Sequence, residues 1–161
     1  MQTRPAVNFS LEGRTALVTG ARTGIGRAIA RGLHEAGASL ILVGRGDLSD
    51  VAPALTTVSA DLSDPASVEP ALAPVLRDQE VDILVNNAGT VHRGPAVDVS
   101  LSDWQRVMAV NLDSAFEISK LCGRQMVARG SGKVVNIASM LSFRAASSSR
   151  PTPPRSTRSS A

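Results

Sequence analysis

The stretch TALVTGARTGIGRAIARGLHEAG, residues 15–37, decides how the rest of the chain is read. Residues 15–19 form a short apolar, β-branched run, which predicts a buried strand. Gly20 follows and permits a tight turn. Ile25, Ile29 and Leu33 then recur at helical spacing as far as Gly37, a residue type that ends helices well. Gly24 and Gly26 would let backbone come close to a ligand and let the helix lie on the strand. The free N–H groups at the helix start would face an anion, typically a pyrophosphate. Glycines alone fit a plain turn between strand and helix as well. Their place at the head of a strand–helix–strand unit favours a dinucleotide, held by Gly20, Arg22, Thr23, Gly24, Ile25 and Gly26.

The same alternation continues downstream. SLILVG (39–44) reads as a second strand and TTVSAD (56–61) as a weaker third. DPASVEPALAPVLRD (64–78) opens with a capping Asp64 and a first-turn proline, but Pro70 and Pro74 argue against a long regular helix. VDILVNNAG (81–89) is a buried strand entering a glycine turn. Residues 100–130 are the longest helical pattern, closed by Gly130, and GKVVNIAS (132–139) is a fifth strand. Strands alternating with helices predict an α/β fold, a parallel sheet covered on both faces. Right-handed crossovers then bring the strand C-termini to one edge, where ligands bind.

Composition narrows the possible partners. One domain with a sizeable core fits 161 residues, 43% of them hydrophobic. The aromatics are Phe9, Trp104, Phe116 and Phe143, with no tyrosine, so small aliphatics must fill the core. Trp104 is expected to anchor the core or the start of its helix. Cys122 is the only cysteine, which fits a reducing compartment. There is no signal-peptide or membrane-spanning pattern, so the expected location is cytoplasmic. The formal charge of +3 comes from the end of the chain: Arg144, Arg150, Arg155 and Arg158 leave 13 basic residues against 14 acidic ones elsewhere. Nucleic acid is therefore not an expected partner, and neither is a membrane.

The spacing Gly20-x-x-x-Gly24-x-Gly26 after Thr19 resembles the short-chain dehydrogenase/reductase family. Asn86-Asn87-Ala88-Gly89, Asp61-Leu62, Asn111 and Ser139 are similar to its further motifs, in the family's order. The resemblance runs from residue 9 to 143. It implies an incomplete Rossmann-type doubly wound parallel sheet of about five strands, order 3-2-1-4-5, in residues 1–143. It further implies an oxidoreductase moving hydride between NAD or NADP and a secondary alcohol or ketone. Asp61 and Leu62 would meet the adenine, and Asn87, Ala88 and Gly89 would line the cofactor. Asn111 would hold a water in the proton relay, and Ser139 would polarise the substrate carbonyl. No metal is implied. The runs 85–116 and 134–143 look like those of the family's (deoxy) sugar-acid dehydrogenases, which implies a small sugar acid as substrate. Full-length members are commonly homo-oligomers.

At the end of the second strand an acid would accept the ribose hydroxyls of NAD. Here stands Gly44-Arg45, with Arg22 in the glycine loop, and two arginines can pair a 2′-phosphate. The balance leans to NADP, although Asp47 is close enough to replace the missing acid.

The family's tyrosine and lysine would fall at positions 152 and 156, which are Thr152 and Ser156. The lysine would lower the tyrosine's pKa for proton transfer. Residues 144–161 read as a disordered basic Ser/Arg/Pro tail. Back-translated with suitable synonymous codons and read from the third base, they give a tyrosine at 152 and a lysine at 156. A shifted reading frame near residue 144 is the expectation, with a genuine basic tail or a binding protein without catalysis as alternatives. The nucleotide sequence decides between them: a shifted frame without that tyrosine, that lysine and a further C-terminal half would rule the first out.

Overall fold

The computed structural model describes residues 9–139. The segment 144–161, expected to be disordered and out of frame, lies outside the described residues. The described elements are β1 (Thr15–Thr19), α1 (Gly24–Glu35), β2 (Ser39–Gly44), β3 (Thr56–Ser59), α2 (Val68–Asp78), β4 (Ile83–Asn86), α3 (Leu101–Met108), α4 (Ser114–Arg129) and β5 (Lys133–Asn136). The strands form one sheet, parallel as the alternation predicts, in the order β3-β2-β1-β4-β5 that the family resemblance implies.

Side-chain alternation along the strands divides the core in two. Leu17, Ile41, Val43 and Leu84 face α2 and α4, through Val68, Leu72, Ile118, Leu121 and Met126. Ala16, Val18, Leu40 and Leu42 face the other way, toward Ala30 of α1 and toward Leu48 and Val51. A strand buried on both faces has no polar side to present, which is why β1 and β2 read as unbroken apolar runs. Helix α1 meets the sheet through its smallest residues, Gly26 and Ala30. Ile29 and Leu33 are partly buried against that cluster, whereas Ile25, expected on the same face, is 65% exposed. Glycine and alanine bring the helix axis close to the strands and leave Ile25 at the sheet edge.

Three expectations change. Helix α2 is regular although Pro74 lies inside it. Pro70 falls in its first turn, where the missing N–H had no partner to lose. The interior proline costs about 3 kcal/mol, and burial of Val68 and Leu72 at 0% exposure, about 1.5–3 kcal/mol each, offsets it. The pattern 100–130 is not one α-helix, because Ala109–Asp113 winds as a π-helix between α3 and α4. At its end the hydroxyl of Ser114, the first residue of α4, donates to the Val110 carbonyl at 2.8 Å. Trp104 lies in the first turn of α3 but is 57% exposed, so it is not a core anchor.

Cys122 is fully buried, and burial pushes its thiol from 9.0 up to about 12. A proton retained by the fold and lost by the unfolded chain makes stability fall with rising pH. The contribution is whole below pH 9 and disappears as pH approaches 12. Urea midpoints measured from pH 8 to 11 are expected to fall, and Cys122→Ala is expected to flatten that slope.

Candidate functional site

The C-termini of β1 to β4 open on one cleft of about 410 Å³, within the range of small-molecule sites. Its floor is the turn from β1 to α1. Gly20 has φ of +66° and Gly24 has φ of +57°, both in the region that favours glycine. A Cβ on Gly26 would sit 2.3 Å from Asn87 Nδ2 and 2.4 Å from the Gly20 carbonyl. The turn is therefore closed on itself, leaving the start of α1 bare. Thr23 at its N-cap makes no side-chain capping bond, and the first turn holds no acid. Those N–H groups remain available to an anion.

The opposite wall is the end of β4, and Thr19 joins it to the floor. The Thr19 hydroxyl, 2% exposed, accepts the amides of Asn87 (3.0 Å) and Ala88 (2.9 Å). Asn87 Nδ2 returns to the carbonyls of Thr19 (3.0 Å) and Gly20 (3.2 Å). Asn86 ties the sheet below. Its Nδ2 donates to Ser119 Oγ (2.9 Å) and to Asn136 Oδ1 (2.8 Å), which links β4, α4 and β5. The two adjacent amides thus do different work: Asn86 fastens the fold and Asn87 fastens the cleft.

Asn111 lies in the π-helical segment and clamps the next residue of the wall. The Thr90 amide donates to its Oδ1 (2.8 Å), and its Nδ2 donates to the Thr90 carbonyl (2.9 Å). Both ends of the amide are thus committed to one backbone unit, so the side chain positions the wall. Ser139 is exposed, three residues beyond β5, and does not line the cleft.

The rim carries the charges. Arg22 from the glycine turn and Arg45 from the end of β2 both line the cleft. Asp61 and Leu62 line it from beyond β3. The amide and hydroxyl of Ser63 hold the Asp61 carboxyl below the usual carboxylate range, with Arg45 adding to the effect. Asp47 does not line the cleft. Its carboxylate takes the Ser49 amide at 2.8 Å.

The sequence-derived residues thus converge on one cleft: Gly20, Arg22, Thr23, Ile25 and Gly26 from the turn, Arg45, Asp61 and Leu62 from the rim, and Asn87, Ala88 and Gly89 from β4. Gly24 shapes the turn without lining the cavity. Sequence reasoning missed Ser63, Thr90, Arg106 and Val110, which also line it. Ser63 and Thr90 each adjoin a recognised motif. Val110 adjoins the recognised Asn111, and Arg106 lies one helical turn before Val110, a spacing that could have found both.

A parallel sheet with a glycine turn, a bare helix start and a cleft at its strand ends is the architecture of the dinucleotide-binding class of α/β proteins. The short chain dehydrogenase family model matches residues 14–150, and the chain belongs to that family.

The 2-dehydro-3-deoxy-D-gluconate 5-dehydrogenase of Bacillus subtilis (strain 168) is 44% identical over 143 residues, covering 84% of this chain and 56% of that protein. A solved structure from Beutenbergia cavernae, with NADP bound at low occupancy, superposes with a TM-score of 0.81. It is 46% identical, over 86% of this chain and 59% of that one. The gluconate 5-dehydrogenase of Burkholderia cenocepacia J2315, in complex with NADP and tartrate, gives a TM-score of 0.78 at 38% identity, over 86% and 58%. The chain thus spans somewhat more than half the length of these relatives.

Proposed function

We propose that this chain holds a nicotinamide dinucleotide, NADP in preference to NAD, in the cleft between β1 and β4. The observation that carries the reading is the pairing of a glycine-closed turn with two arginines that line the cleft, Arg22 from the turn itself and Arg45 from the end of β2. The cradle at Gly20 and Gly26 admits a pyrophosphate against bare backbone amides. Arg22 and Arg45 would face a 2′-phosphate, and no acid at the end of β2 competes for ribose hydroxyls. When bound, the nicotinamide would take hydride from a secondary alcohol or return it to a ketone.

The remaining roles are assigned on the family's pattern. Ser139 would polarise the substrate carbonyl, and Asn111 would hold the β4 wall in place beside a relay water. The substrate class is a small (deoxy) sugar acid, in keeping with the relatives named above. The expected location is the cytoplasm, with homo-oligomers formed by full-length members. Proton transfer needs an acid such as tyrosine with a neighbouring cation. The sequence has no tyrosine and has Thr152 and Ser156 at the expected positions. This favours a second reading, a dinucleotide-binding chain that does not turn over.

Fluorescence titration of the purified chain with NADPH and NADH tests the first reading. NADPH is expected to bind more tightly, and Arg22→Ala with Arg45→Ala is expected to remove that preference. Two lost charge-assisted contacts, each about 1.5–3 kcal/mol, correspond to a fall in NADPH affinity of roughly 100-fold or more. NADH affinity should hardly move. Absence of binding by either nucleotide would refute the reading. Turnover of 2-dehydro-3-deoxy-D-gluconate or gluconate by this chain would refute the second one.

A further inference from the structure

The cleft has a charged residue that neither the glycine turn nor the β4 wall explains. Arg106 comes from α3, far in sequence from the other charged groups of the rim, and still lines the same cavity as Asp61, Leu62 and Val110. Its position is held. Arg106 Nη2 lies 3.6 Å from Asp103 Oδ1, and the Ser100 hydroxyl donates to Asp103 Oδ2 at 2.7 Å. The side chain remains half-exposed, at 48%, which leaves it accessible to a ligand in the cavity it lines.

The sheet order shows which end of a dinucleotide reaches it. Strand order reverses between β1 and β4, and the pyrophosphate belongs at that crossing. One half of the ligand then lies toward β2 and β3, the other toward β4 and β5. Ser139, the proposed carbonyl-polarising residue, follows β5, so the nicotinamide lies on that side. The purine therefore lies past the ends of β2 and β3, where Leu62 and Val110 offer apolar walls and Arg106 a flat cation.

We infer that Arg106 covers the purine ring of the bound dinucleotide, stacking its guanidinium on the base, and so sets affinity at the base end independently of the 2′-phosphate. The inference rests on the NADP-binding reading above. A guanidinium suits this position because it is planar and weakly hydrated, which a lysine ammonium is not.

Titrations of the chain and of Arg106→Ala and Arg106→Lys with NADPH, NADH, 5′-AMP and nicotinamide mononucleotide test it. Both variants change a half-exposed side chain, and unchanged urea midpoints would verify their folding. Arg106→Ala is expected to weaken NADPH, NADH and 5′-AMP alike, by about 5–10-fold, and to leave nicotinamide mononucleotide unaffected. Arg106→Lys should lose most of the same factor, because it keeps the charge and loses the plane. A loss confined to NADPH would overturn the inference in favour of a phosphate contact, and so would full recovery by lysine. Unchanged affinity of Arg106→Ala for every ligand would overturn it too. Failure of the unmodified chain to bind NADPH would instead refute the NADP-binding reading.

Discussion

Gly26→Ala is expected to weaken dinucleotide binding strongly and to destabilise the chain, while Gly32→Ala, further along the same helix, stabilises it. The first substitution puts a Cβ 2.4 Å from the Gly20 carbonyl and 2.3 Å from Asn87 Nδ2. One neighbour is backbone, and the other amide is bound to the carbonyls of Thr19 and Gly20, so neither can yield cheaply. Overpacking of this kind costs about 1–3 kcal/mol. It also drives α1 away from the turn that would receive the pyrophosphate, so affinity for NADPH is expected to drop by at least about 30-fold. At Gly32 an added Cβ meets nothing within 4 Å. Its α-helical position favours alanine by about 0.5–1 kcal/mol. Urea unfolding and NADPH titration of the two variants read both effects. Equal behaviour of the pair would show that helix propensity, not the closed turn, governs this segment.

Thr19→Val is expected to be the most destabilising isosteric change in the cleft. Valine fills the same volume but removes the acceptor of two amides, Asn87 at 3.0 Å and Ala88 at 2.9 Å. Each buried amide left without a partner costs about 1–3 kcal/mol, together a large share of the 5–15 kcal/mol of a small domain. With a urea m-value of about 1–3 kcal/mol/M, the midpoint should fall by roughly 1–2 M. Thr19→Ser keeps the oxygen and loses one methyl, about 1 kcal/mol, so its midpoint should stay near the parent's. If the two variants lose the same stability, packing rather than hydrogen bonding holds the β4 wall. NADPH affinity should follow stability in both, because this hydroxyl is one of the bonds that hold the wall carrying Ala88 and Gly89.

Much of this arrangement was legible in the residues. Unbroken apolar runs at 15–19 and 39–44 announce strands buried on both faces. The glycine spacing at 20, 24 and 26 announces a turn that brings backbone to a ligand. Other features were not legible, because they depend on competition between local preference and packing. Pro74 argues against a helix locally, yet α2 forms because Val68 and Leu72 are buried beneath it. Ile25 shares a helical period with Ile29 and Leu33, yet it stays outside because Gly26 and Ala30 face the sheet. Trp104 has a core residue's composition and a surface residue's position.

By itself the sequence determined the parallel sheet and the turn at its centre, because these follow from period, glycine placement and the alternation of strands with helices, and its family resemblance implied the strand order. Only the tertiary structure decided which side chains meet across the cleft. Thr19 meeting Asn87, Asn111 clamping Thr90 and Arg106 lining the same cleft as Asp61 join residues 21 to 68 positions apart or on separate elements. No local pattern encodes such pairs. They exist because parallel strands bring their C-termini to one edge, where side chains distant in sequence share a single small volume.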